Sequence, residues 1–196
     1  MDLLLIRHGQ SFANVAGLLN STEQDELTEH GMQQAAQLRV LMEDRGLAPD
    51  RVFSSPWRRA LQTTEVLFNG KCDWTVDSRL GETNAGRFAT WKAEDFRLAF
   101  PDWGKHLSDR YDGGESHLEL AARSVNWVEE EVLRHADKPG LIAAVCHAGP
   151  ISVISQYLLN IPLSKFPNVL VPNASITLFR RNVHTGNFYL QIAGLS

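Results

Sequence analysis

The chain has 196 residues, enough for one sizeable core and slightly more than the commonest domain size, so a single domain with an insertion is expected. Its 43% hydrophobic and 21% charged residues are ordinary for a soluble globular protein, and a formal net charge of -4 argues against a nucleic-acid or anionic-membrane partner, so any anion site must be local. Cys72 and Cys146 lack C-x-x-C spacing, and the first apolar run is too short for a signal-peptide core or a membrane span; reduced thiols and a cytoplasmic setting are the expectation.

Leu3 to Ile6 form an unbroken apolar run that suits a strand buried on both faces, and the run stops at Arg7-His8-Gly9. In an open parallel sheet that stop lies at the carboxyl edge, where ligands usually bind. Arg7 offers a planar fork of donors for phosphate or carboxylate oxygens, His8 can serve as nucleophile, base or ligand, and Gly9 lets the backbone turn sharply. Gly9 to Asp25 reads as a polar loop containing Gln10, Ser11 and Asn14. Thr28 is placed to cap a helix running to about Arg45, with Met32, Ala35, Leu38 and Met42 on one face and Gly46 ending it.

Arg51 to Ser54 predicts a short strand, and Ser55-Pro56 supplies a cap and first-turn proline for a helix over Trp57 to Phe68. Trp57, Ala60, Leu61, Thr64, Leu67 and Phe68 share a face of that helix, which puts Arg58 on its rim and Arg59 on the far side. Arg58 is therefore expected to lean over the same edge as His8, and Arg59 is read as a solvated charge. Trp74 to Leu80 reads as a further strand, followed by a polar loop whose carboxylate is Glu82. Phe88 to Tyr111 holds six aromatics without strand-like alternation and reads as an inserted helical cap, its rings packing the cap onto the body.

Ser116 and Glu119 form a capping box opening a long helix with an apolar stripe of Leu118, Ala121, Ala122, Val125, Val128 and Val132. Leu141 to Cys146 is a second buried strand, and it too ends in an imidazole, at His147-Ala148-Gly149-Pro150. Pro150 suits the first position of the next helix, whose start near Ala148 can bind an anion behind His147. Ala174 to Arg180 and Phe188 to Ile192 read as a closing hairpin. Strand and helix alternate throughout, which predicts a three-layer α/β/α sandwich with a mostly parallel central sheet and a cap insertion at about 83–112.

The motifs RHGQSFAN (7–14), D-x-L-T-x-x-G-x-x-Q-A (25–35), SSPWRRALQT (54–63), L-x-E (80–82), GGES (113–116) and VCHAGP (145–150) together resemble the histidine phosphatase superfamily, also called phosphoglycerate-mutase-like. The resemblance departs at Ala148, where many members have glycine. It implies that His8 is a nucleophile forming phosphohistidine, and that Arg7, Arg58 and His147 surround the phosphoryl oxygens with Asn14 and the Ala148 amide as further donors. Glu82 would protonate the leaving alkoxide and then deprotonate the attacking water. Gln10, Ser11 and Asn173 are each read either as substrate contacts or as loop-ordering residues. The implied partner is a small phosphorylated substrate, with no metal and no cofactor; oligomeric state is not readable. The segment after Glu82 looks like the phosphatase branch, with mutase-type phosphoryl transfer or an inactive phosphate-binding module as the alternatives. A metallohydrolase is disfavoured because the remaining histidines lack ligand spacing, and a serine hydrolase because Gly9-Gln10-Ser11 is not followed by the glycine of a nucleophile elbow.

Overall fold

A computed structural model describes residues 1–68, 70–163 and 166–196. The strands are β1 (Asp2–Arg7), β2 (Arg51–Ser54), β3 (Trp74–Val76), β4 (Leu141–Cys146), β5 (Ser175–Arg181) and β6 (Phe188–Leu195). The helices are α1 (Phe12–Ala16), α2 (Glu29–Asp44), α3 (Arg58–Phe68), α4 (Ala93–Ala99), α5 (His117–Glu131) and α6 (Ala148–Leu158). The six strands form one sheet in the order β3-β2-β4-β1-β5-β6. β1 to β4 run parallel, β5 is antiparallel to β1, and the β5–β6 hairpin closes the edge as expected.

Alternation along the central strands builds the layers. Leu3, Leu5, Ile142 and Ala144 face Trp127, Val128, Ile151 and Ile154 of α5 and α6 on one side. Leu4, Ile6, Ala143 and Val145 face Leu38, Met42, Ala60 and Leu67 of α2 and α3 on the other. Each fully buried Leu or Ile removes enough apolar surface from water to contribute roughly 1.5–3 kcal/mol, which is why the two apolar runs are central rather than edge strands. Among the described residues no helix is long and apolar enough to cross a membrane.

Several local expectations shift. The strand expected over Trp74 to Leu80 stops at Val76, because the Asp77 carboxylate accepts from the Arg79 amide at 2.9 Å and tightens Ser78–Leu80 into a 3-10 turn. In α2 the inward face begins at Gly31, leaving Met32 exposed. In α5 it runs through Leu120, Ser124 and Trp127, leaving Leu118 exposed. The helix α6 starts at Ala148 with His147 as its N-cap, so Pro150 stands third, still within the turn whose amides need no helical partner. The inserted segment contains one seven-residue helix, α4, and its rings mainly pack on one another: Phe88, Phe96 and Tyr111 form a separate cluster with Ala85 and Ala89. Trp103 joins this cluster to the body through His117 at 5.2 Å, and His117 in turn meets Phe166 at 4.3 Å.

The loop after β1 lies directly on the start of α2. The Thr28 amide donates to the Gln10 carbonyl at 2.9 Å, the Gln10 amide to the Gln34 side chain at 2.9 Å, and the Thr28 hydroxyl to Gln10 Oε1 at 3.0 Å. Gly9 and Gly31 permit this approach, since a Cβ on Gly31 would fall on the Gln10 carbonyl oxygen and one on Gly9 on the Gly31 carbonyl oxygen. Gly31→Ala is expected to destabilise the fold by about 1–3 kcal/mol through overpacking and to reduce activity by displacing the loop. Gly46→Ala, at a left-handed position with open space, should lower stability by about 1 kcal/mol and leave activity unchanged. Urea unfolding and turnover of both variants test this; a fully active Gly31→Ala would refute the packing argument.

Candidate active site

In-register pairing of Arg7 with Cys146 brings the residues that follow them together. The His8 amide donates to the Cys146 carbonyl at 3.1 Å, and the imidazoles of His8 and His147 lie 4.9 Å apart, both buried. His8 Nδ1 is 2.7 Å from the Gly9 carbonyl oxygen, which can only accept, so Nδ1 carries the proton. His8 Nε2 accepts from Arg59 Nε at 3.0 Å, so its lone pair faces the pocket's cation. Asn173 Nδ2 donates to the carbonyls of His8 at 3.1 Å and Gly9 at 3.4 Å, and Ala174 N to His8 at 2.9 Å, so the link after Val171 ties down the loop.

Arg59, not Arg58, is the helix-borne arginine of the site. The Arg59 side chain is 3% exposed and lies against Asp25, whereas the Arg58 side chain is 58% exposed and pairs outward with Glu26. The other donors of Arg59 are held too: Nη1 by the Thr22 carbonyl at 3.2 Å and Asp25 at 3.4 Å, Nη2 by the Asn20 carbonyl at 3.1 Å. The helix phase differs from that expected because Trp57 precedes the helix and Thr63, polar yet fully buried, lies on its inward face. The Thr63 hydroxyl accepts from the Gly9 amide at 3.1 Å, and recognising Thr63 as inward rotates the face toward Arg59.

His147 completes a directional chain. The Trp57 amide donates to Ser55 Oγ at 3.2 Å, and Ser55 Oγ lies 2.8 Å from His147 Nε2. His147 Nδ1 is buried with no protein partner. The arrangement that uses every atom has the Ser55 hydroxyl donating to Nε2 and leaves Nδ1–H as a donor for an anion. In sequence Ser55 is legible only as a helix cap; its contact with His147 joins the ends of the adjacent strands β2 and β4, 92 residues apart, and has no local signal.

Glu82 stands opposite. Its Oε2 accepts from the Gly149 amide at 3.2 Å and its Oε1 from the Thr83 amide at 2.8 Å. A Cβ on Gly149 would fall on Glu82 Oε1, so a side chain here would displace the Glu82 carboxyl group. With Gly149 engaged and Pro150 lacking an N–H, the Ala148 amide is the first-turn donor left for an anion. The Glu82 loop hangs from Arg123, which donates to the carbonyls of Arg79 (2.8 Å), Gly81 (2.8 Å) and Glu82 (3.0 Å) and pairs with Glu115 at 2.7 Å. Glu115 Oε1 also accepts from Asn84 N at 2.9 Å. Arg123 was missed because a lone arginine on an amphipathic helix gives no sign of what it reaches.

The remaining expected residues divide. Arg7 is mostly buried, with Nη1 on the Val171 carbonyl at 2.5 Å and a buried Nε without a partner. Asn14 turns its Oδ1 to the Ser11 amide at 3.0 Å and Asn173 Nδ2 at 3.1 Å, which leaves its nitrogen for a ligand. Ser11 is the N-cap of α1 and Gln10 is tied to Thr28 and Gln34, so both order the loop.

Burial, then the positive charge of Arg59, holds His8 well below the ordinary histidine range; burial and the same charge do so for His147. Both imidazoles are therefore neutral at neutral pH. Burial lowers Arg59 to about 10, opposed by the charges of Glu82 and Asp25, so it stays cationic. Burial also lowers Arg7, and Glu82 opposes the shift. The site thus offers a neutral nucleophilic nitrogen beside two cations and the Glu82 carboxyl group. Among the described residues no group of three or more His, Cys, Asp or Glu is placed to hold a metal ion.

Residues 3–191 match the histidine phosphatase superfamily (branch 1). The chain belongs to that family. Glucosyl-3-phosphoglycerate phosphatase of Mycobacterium tuberculosis is 32% identical over 185 residues, covering 84% of this chain and 78% of that protein. The 2,3-bisphosphoglycerate-dependent phosphoglycerate mutase of Thermoplasma acidophilum is 29% identical over 178 residues, covering 89% of this chain and 84% of that one. The structure of mycobacterial glucosyl-3-phosphoglycerate phosphatase complexed with VO3 superposes with a TM-score of 0.86 at 29% identity, covering 100% of this chain and 99% of the other.

For a histidine phosphatase built this way, Arg59→Met is expected to lower kcat/KM on an aryl phosphate by about 10²–10³, the usual loss of one preorganised donor, while Arg58→Met should stay within about twofold. Steady-state kinetics on the two variants decide it. Comparable losses would place Arg58 back at the site.

Proposed function

We propose that the chain is a phosphomonoester hydrolase that passes the phosphoryl group to His8 and then to water, with no metal in the cycle. The observation that carries this reading is the unprotonated His8 Nε2 directed at Arg59 Nε, 3.0 Å away, in a pocket shared with His147, Arg7 and Glu82. The entering phosphoryl group displaces the Arg59 Nε hydrogen bond from His8 Nε2, which frees the lone pair, and Arg59 Nε then donates to a phosphoryl oxygen. The Nε2 lone pair forms the P–N bond as the P–O bond to the leaving group breaks, and Glu82 delivers its proton to the departing alkoxide. Water then attacks phosphorus, Glu82 takes a proton from it, and the P–N pair returns to Nε2 as inorganic phosphate leaves. Arg59, Arg7, His147 Nδ1–H, the Ala148 amide and the Asn14 nitrogen hold the phosphoryl oxygens, supplying the charge that the transfer needs. Residues 1–196 act as one catalytic unit, with an inserted cap at about 83–112.

Hydrolysis is favoured over isomerisation by the segment after Glu82. A mutase must hold the carboxylate of its substrate while the intermediate reorients, and the basic residue of this segment, Arg87, is turned away: it is exposed, paired with Asp112 at 3.0 Å and laid over the Phe88 ring. Thr83 and Asn84 are tied to Asn20 and Glu115. The substrate is a small phosphate ester, and the relatives' names make phosphoglycerate derivatives the first to try.

Incubation with glucosyl-3-phosphoglycerate, 3-phosphoglycerate and a panel of other esters, following inorganic phosphate and 2-phosphoglycerate together, tests the proposal. Phosphate release from at least one ester, absent in His8→Ala, is expected. Rapid formation of 2-phosphoglycerate with negligible phosphate release would overturn hydrolysis in favour of the mutase reading.

A further inference from the structure

Trp57 has no role in the steps above, yet it touches three parts of the site. The Arg59 guanidinium carbon lies over the indole ring, 4.6 Å from its centroid. The edge of the ring meets His147 at 5.2 Å and 64°. Its Nε1 side abuts Gly81, the residue before Glu82, so closely that a Cβ there would sit 3.1 Å from Nε1. The side chain is 5% exposed, in a position just outside α3 that helix packing does not require.

We infer that Trp57 is a positioning residue, whose ring face holds the Arg59 guanidinium in the plane that aims Nε at the phosphoryl position above His8. The Arg59 nitrogens are held at their ends by His8 Nε2, the carbonyls of Asn20 and Thr22 and the Asp25 carboxylate, hydrogen bonds that set where the nitrogens point and do not engage the guanidinium face. An aromatic face supplies what those carbonyls do not: attraction to a desolvated cation from a direction with no hydrogen-bond acceptor. An aliphatic side chain would fill the same space without that attraction. The indole also blocks water from reaching the guanidinium face, which keeps the field at the phosphoryl position strong.

The inference rests on the proposed placement of the phosphoryl group between His8 and Arg59, so the test reads anion binding rather than turnover. Inorganic phosphate is titrated calorimetrically into the wild type, Trp57→Phe, Trp57→Leu and Arg59→Met, with thermal unfolding of each. Trp57→Phe, which keeps a ring face, should bind phosphate within about threefold of the wild type, and Trp57→Leu about tenfold more weakly, a factor typical of a desolvated cation–ring contact. If the leucine variant does not fold, Trp57→Met takes its place with the same expectation. Equal weakening in the phenylalanine and aliphatic variants, or wild-type affinity in the aliphatic one, overturns the inference. Unchanged phosphate binding in Arg59→Met would instead show that the placement of the phosphoryl group itself is wrong.

Discussion

The constraint on which the site depends is the register of β1 against β4. Two short runs of fully buried aliphatic residues pair so that Arg7 lies beside Cys146, and the next residue of each strand is a histidine. A one-residue slip would turn Leu4 and Ile6 from the α2–α3 side toward α5 and α6, so the hydrophobic pattern forbids it. Burial of the two runs thereby fixes the separation of two imidazoles that are 139 residues apart in sequence, from His8 to His147. The chemistry is placed by packing that has no chemistry of its own.

Having been brought together out of water, neither ring takes up a second proton beside Arg59 and Arg7. Burial and neighbouring positive charge act in the same direction on each imidazole, and the neutral form that results is the one a nucleophile requires. The same burial makes the arginines costly unless every donor is occupied. Asn20, Thr22 and Asp25 serve Arg59, and the Val171 carbonyl serves Arg7. Of the six buried side-chain atoms without a partner among the described residues, Arg7 Nε and His147 Nδ1 belong to this cationic site, where an entering dianion relieves both repulsion and unsatisfied donors. The pocket is poised for phosphate because it is unfavourable without it.

Much of this was legible in the sequence where a rule is local. Unbroken apolar runs marked both central strands, Thr28 and Ser116 marked helix starts, and the repetition of an imidazole after each run marked the shared edge. The errors arose where polarity and burial part company. Thr63 and Ser124 lie on inward faces despite their hydroxyls, and helix phases drawn without them point Arg58 rather than Arg59 at the site and Leu118 rather than Trp127 at the core. The interactions between distant segments, Ser55 with His147 and Arg123 with the Glu82 loop, had no signature within any one window of sequence. They exist because the strand order brings β2 beside β4 and lays α5 under the 3-10 turn after β3.

The central claim is that His8 attacks through Nε2, because Nδ1 is held by the Gly9 carbonyl. Rapid quenching of the enzyme during turnover into alkaline denaturant, followed by phosphorus NMR and mass spectrometry of the His8 peptide, reads the isomer directly. The account predicts phosphate on Nε2 of His8 alone. Phosphate on Nδ1, on His147, or on no histidine at all would contradict it.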